Sequence, residues 1–365
     1  ITARPVSLTL PSLTKVYDGS TSYAANSSEL TALSAGLMGG DTVTSAVANF
    51  SDRQVGTGKT VTPGSYVIAD GNGGANYALS FAGNSTSSIT RLASVSWAGG
   101  SSGNWSVAAN WAGGALPDAA NVAAVNIPAG ATVTYDLPLA NAAQLTSLSS
   151  SGALVIPGGQ LTVAGTLDTA TYRQQGGALT AGALTVGNQF TQTGGSILAS
   201  GPVSLNQSAG NLVLGAIAAG ALDLRAPVGS IGQNGGTGIT AAAVTASAAQ
   251  GIALGQDNHI AVFAASNTAS GDITLTNTSN PLTVMQLHNG GGSIAIDNTG
   301  GVIAAAAIDA ADSVTLTAHS PITVNAPITA GNRITLQASS SLAGGDTLTI
   351  NANLSAGSGG LGATA

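Results

Sequence analysis

The 365-residue chain has no cysteine, which excludes disulfides and thiolate metal sites as sources of stability. Charge is almost as scarce. Only 6% of residues are charged where about a quarter is usual, so the surface has to be made of Ser, Thr, Asn, Gln and backbone. Lys and Arg number 8 and form no cluster, which excludes the phosphate neutralisation that nucleic-acid binding needs and removes any pull toward an anionic bilayer. No apolar run approaches the roughly 18 residues of a membrane-spanning helix, so membrane insertion is not expected in this segment. Aromatic residues are 4%, and all three tryptophans fall between positions 97 and 111.

The chain does have 51 glycines and 44% hydrophobic residues in regular alternation, a combination that argues for β-structure over disorder. The alternation is periodic. Ile273-Thr-Leu-Thr, Ile294-Ala-Ile-Asp, Val314-Thr-Leu-Thr and Ile334-Thr-Leu-Gln start 21, 20 and 20 positions apart. Leu282-Thr-Val, Val302-Ile-Ala and Ile322-Thr-Val repeat the step of 20. Two strand signals per period predict one turn of a coil, because a single turn cannot bury its apolar face without a neighbour to stack on. Upstream, Leu184, Val203, Leu222 and Val244 step by 19, 19 and 22, and the 29-residue gap from Val244 to Ile273 predicts an extra loop at Gly255-Gln-Asp-Asn-His259. Ile273, Leu275, Ile294, Ile296, Val314, Leu316, Ile334 and Leu336 are the expected inward positions.

Three regions follow. Residues 1–92 read as a compact β module, with strands at Val6–Leu10, Val43–Phe50, Tyr77–Phe81 and Ser88–Thr90, a turn at Tyr17-Asp18-Gly19, and either a helix or a strand at Glu29–Leu37. This region is electrically neutral, and the net charge of −7 lies entirely beyond it. Residues 93–140 read as a Trp-rich junction, and residues 141–365 as a parallel solenoid. The plain start at Ile1 and the Gly-rich finish lead us to expect a piece of a longer chain.

Lys15-Val-Tyr-Asp-Gly-Ser, Gly40-Asp-Thr-Val, Val55-Gly-Thr-Gly-Lys-Thr-Val and Asn76-Tyr-Ala-Leu, closing on Ile89-Thr-Arg, resemble in order the YDG/MBG-type β modules that occur in tandem in large bacterial surface proteins. Gly103-Asn-Trp-Ser and Asn110-Trp resemble the entry segments before β-helical stretches in haemagglutinin-like and autotransporter-like exoproteins. The 19–21-residue repeat resembles the right-handed parallel β-helix of filamentous-haemagglutinin-like adhesins of the two-partner secretion type. The resemblance implies an all-β fold, a small module followed by a right-handed parallel β-helix, and an extracellular or outer-surface location.

A β-helix can also carry polysaccharide-cleaving sites, which need two positioned carboxylates or an acid with its base. Stacking the coils at their period gives outward columns Asp272–Ser293–Ser313–Arg333 and Thr276–Asp297–Thr317–Gln337, with no two carboxylates adjacent. Asp223 and Arg225 share a face beside Ser204, Asn206, Thr245 and Ser247 and read as a surface ion pair. His259, His288 and His319 are 29 and 31 positions apart, off the coil period, and have no zinc-like spacing. Asp70-Gly-Asn-Gly-Gly-Ala-Asn76 opens like a calcium loop but has Phe81 where the acidic twelfth ligand belongs, and Gly344-Gly-Asp occurs once only. The expectation is therefore no catalytic, cofactor or metal site. Trp97, Trp105 and Trp111 are the candidate site residues, as a cap for the first coil or as a platform for stacking a glycan. The function expected is a structural and adhesive stalk and shaft, contacting glycans, cell surfaces, matrix such as biofilm, or other copies of itself. The alternatives are a self-assembling extracellular filament and, disfavoured, a carbohydrate-active enzyme.

Overall fold

The computed structural model describes residues 2–339 and 346–365. These form two compact units: residues 1–100 with 105–125, and residues 101–104 with 126–365. The Trp-rich segment, read from sequence as a region of its own, lies mainly with the first unit.

In the first unit β1 (Arg4–Thr9) pairs in parallel with β6 (Tyr77–Ala82). A five-stranded sheet has the order β2-β7-β5-β4-β3, with β2 at Thr14–Val16, β3 at Ser22–Ala24, β4 at Thr42–Phe50, β5 at Gly56–Ala69 and β7 at Asn84–Thr90. The segment left open between helix and strand is a helix, α1 (Ser27–Ser34), started by a capping box in which Asn26 accepts from the Ser28 and Glu29 amides and Glu29 reaches back to the Asn26 amide. The 14-residue β5 has no strand signature in sequence, because only Val61 and Ile68 are buried along it and no alternation results. Leu8, Leu13, Val43, Phe50, Val61 and Ile89 form the core between the sheet and its covering segments.

The second unit is a parallel β-solenoid of about 11 turns. In its regular part each coil has three short strands rather than the two expected: Ile294–Asn298, Val302–Ala304 and Ile308–Ala310, followed one coil later by Val314–Ala318, Ile322–Val324 and Ile328–Ala330. The third strand escapes a search for alternation because it is three residues long and centred on Asp309 or Thr329. Strand registers match the sequence period: Ile273, Ile294, Val314 and Ile334 stack directly, as do Leu275, Ile296, Leu316 and Leu336. All eight are at most 2% exposed. Stacking begins before residue 141, since Thr132–Thr134 already pairs with Ser102–Asn104 on one side and Ala153–Val155 on the other.

The loop expected at Gly255–His259 is not there. Residues Ile252–Asn267 are one continuous strand segment, and the successor of Val244 is Phe263, which in turn pairs with Val284. The apparent 29-residue gap compared two different faces of the coil. What remains of it is a local bulge between Leu254 and Asn258.

Candidate functional site

In a parallel stack every second residue of a strand faces water, and the same outward position recurs at about 4.8 Å from coil to coil. On one face of the shaft this builds a row that starts at Asn206 and runs through Arg225, Ser247, Ser266, His288, Asp309 and Thr329. Beside it runs a second row, Asp168, Thr185, Ser204, Asp223 and Thr245. Between the rows lies an open groove of about 730 Å³ lined by Thr185, Ser204, Asn206, Asp223, Arg225 and Ser247 among others. A smaller hollow of about 310 Å³ continues from Thr245 and Ser247 to Gln286 and His288. The sequence reading brought together Asp223 and Arg225 with Ser204, Asn206, Thr245 and Ser247, and the structure does the same. The ion pair there spans 3.0 Å and is exposed on the arginine side.

Two contacts on the shaft were missed. His288 lies 3.0 Å from Asp309, because a separation of 21 residues is one coil and makes them neighbours in the same row. The three histidines are off the coil period from one another, and the spacing among them gives no sign of the carboxylate that the period places beside His288. Ser293 donates its amide to Asp272 and its hydroxyl to Asp312, so two carboxylates converge on one serine that the columns had placed only under Asp272. Hydrogen bonds from Ser293 first, and then from Asn332, hold the Asp312 carboxyl below the usual carboxylate range, the wrong direction for a proton donor. Among the described residues no three His, Cys, Asp or Glu converge as metal ligands. Asp70 accepts the amides of Asn72, Gly74 and Asn76 at 2.9, 2.7 and 3.1 Å, so it closes a turn with its own backbone. The Gly74 amide leads in lowering its pKa. Gly344 and Gly345 lie outside the described residues.

The three tryptophans are 6%, 0% and 1% exposed at positions 97, 105 and 111, which leaves no indole face on which a sugar could stack. Trp111 is packed edge-on against both others, at centroid distances of 5.1 and 4.7 Å. Each indole N–H is bonded to a carbonyl: Trp97 to Gly100, Trp105 to Pro117 and Trp111 to Trp105. They form a core of their own within the first unit.

Beside that core is a buried polar cluster. Arg53 presents its guanidinium fork to Asp118 and also donates to the Tyr17 hydroxyl. The Tyr17 hydroxyl donates to the Leu116 carbonyl at 2.9 Å, and Asn121 donates to Asp118 at 2.7 Å while accepting the Val55 amide at 2.9 Å. Asp118 is 1% exposed. A lone acid and a lone arginine about 65 residues apart give no signal in the sequence that they meet.

Residues 2–89 match the YDG domain. No match to the chain was found among curated proteins or solved structures. Within the YDG module the three signature residues have distinct tasks. Tyr17 reaches into the cluster just described. Asp18 fastens its own turn, accepting Lys15 at 2.7 Å and the Ser20 amide and hydroxyl at 2.9 and 3.0 Å. Gly19 has φ +81, and a side chain there would meet the Gly114 carbonyl oxygen at 2.4 Å, so no other residue fits. A YDG module joined to a β-solenoid is compatible with a structural or adhesin-like role.

Proposed function

We propose that the chain is a structural and adhesive segment of a large exported bacterial surface protein, of the filamentous-haemagglutinin-like kind, in which the YDG module is a stalk unit and the solenoid a shaft that contacts glycans. The observation that supports this most is the outward face at Asp223 and Arg225. It offers hydroxyls, amides and one charge pair in rows that repeat with the coil, an arrangement that can hydrogen-bond a repeating hydroxyl-rich polymer along its length without demanding charge from it. The carboxylates on this face do not suit hydrolysis. Asp168 and Asp223 are three coils apart, roughly 14 Å, whereas the carboxyl pair of an inverting glycosidase is separated by about 6.5–9.5 Å.

The test is a panel of neutral and acidic polysaccharides assayed together for retention and for cleavage. Retention without release of shorter products, weakened several-fold by Asn206→Ala and Arg225→Ala, is the expected result. Cleavage lost on substituting Asp223, Asp272 or Asp312 would replace the adhesive reading with an enzymatic one, and retention by no member of the panel would remove the glycan from it.

A further inference from the structure

The YDG signature is aimed at residues that lie beyond the YDG domain. The domain match ends at residue 89, yet Tyr17, Gly19, Arg53 and Val55 all make their contacts with residues 114–121. Tyr17 donates to Leu116, Gly19 is pressed against Gly114, Arg53 grips Asp118, and the Val55 amide is taken by Asn121, whose own amide group also reaches Gln54 at 2.5 Å. The segment supplies its part with backbone held in a costly shape. Ala119 has φ +45, a left-handed conformation that is unfavourable for a non-glycine residue and persists only where neighbours fix it. Asp118 is buried and would be an uncompensated charge without Arg53.

We propose that the surface formed by Tyr17, Gly19 and Arg53 is a carboxylate socket of the YDG module, whose ligand is the following Leu116-Pro-Asp-Ala-Ala-Asn121 segment. The module is then complete only with residues 105–121, and the signature serves as its receptor for the chain that continues from it. Arginine fits because its planar fork meets the carboxylate edge-on while one N–H reaches the tyrosine. The phenol fits because it accepts that N–H and passes a hydrogen bond on to the Leu116 carbonyl. A Leu-Pro-Asp-x-x-Asn pattern about 25 residues past the module is the sequence mark of the partner segment.

The full chain carries its own reporter, since all three tryptophans are in the first unit and Trp105 donates to the carbonyl of Pro117, next to Asp118. In Tyr17→Phe, Arg53→Ala and Asp118→Asn the fluorescence-detected melting of the tryptophans should fall by roughly 5 °C or more, and thermolysin should cut between residues 112 and 121 in the native protein. Lys59→Ala, which removes the pair with Asp52 and leaves the Asp52 bond to the Gln54 amide in place, should do neither. Tyr17→Phe combined with Asp118→Asn should lower the melting temperature by less than the two single shifts together. Fully additive shifts, or a 112–121 segment as well protected in Arg53→Ala as in the parent, would overturn the socket. Val61→Ala, a core change away from the socket, separates the two cases: it should lower the melting temperature without exposing the segment to protease below the transition.

Discussion

At the scale of single residues, the shaft asks only whether a side chain faces in or out. Leu316 is fully buried between Ile296 and Leu336, while its neighbour Thr315 stands on the outward side. Leu316→Asp places an unpaired charge inside the stack and should cost more than about 4 kcal/mol, enough to unfold several coils. Thr315→Asp should stay within about 0.5 kcal/mol of the parent. Comparable melting of the two by circular dichroism would contradict the register. Tyr17 gives a prediction in pH. Burial, and after it the Asp118 carboxylate, pushes its pKa from 10.0 up to about 12. The folded state thus holds this proton more tightly than the unfolded chain, so its contribution is intact below pH 10 and is lost as pH rises toward 12. Tryptophan fluorescence should report loosening of the first unit in that window, and Tyr17→Phe should remove the part of the loss that follows the phenol.

At the scale of elements, the coils are tied together by internal amides. Asn277 donates to Asn298 at 2.9 Å one coil on, and Asn267 donates to Asn289 at 2.9 Å in a second column. Gln192 continues the theme upstream, donating to Gln174 at 3.4 Å. The asparagine columns end one coil apart, where Ala310 and then Ala318 take the next positions. Asn298 satisfies the Ser279 amide and the Ser279 and Gly301 carbonyls besides, so Asn298→Ala strands several buried groups and should lower stability by about 1–3 kcal/mol. Thermal melting followed at the shaft's β-sheet signal checks this, and a loss below about 0.5 kcal/mol would mean the ladder is decorative. These elements also mark what the sequence could reveal. The stacking of Ile273, Ile294, Val314 and Ile334 was legible, because each coil repeats the same burial task and writes the same pattern. The third strand was not, since three residues cannot display a period. The asparagine ladders were not, since an inward polar residue looks like any turn residue until its neighbour one coil away is known. The polar face at Asp223 and Arg225 was legible as a column; the groove it lines was not. The socket at Asp118 joins positions far apart in the chain and has no period to betray it.

At the scale of the whole molecule, the two units rest on different physics. The first holds the ion pairs of Lys15, Arg53 and Lys59 and a mixed sheet. The second is held by in-register backbone bonds, apolar columns and neutral amides. Among the described residues no three His, Cys, Asp or Glu converge on a metal site, so a chelator should leave both the tryptophan-detected and the sheet-detected transitions where they were, and a shift of either beyond a degree or two would point to a bound ion. Nearest-neighbour stacking also governs how the shaft meets a pulling force. Successive strands such as Ile294–Asn298 and Val314–Ala318 are bonded only to the coils on either side of them, so tension on one end strips a single coil before it reaches the next. Each coil of 20 residues, once stripped, lengthens the chain by roughly 70 Å at full extension. A stack built this way is expected to lengthen under tension one coil at a time, which stepwise extension in a single-molecule pulling experiment would show.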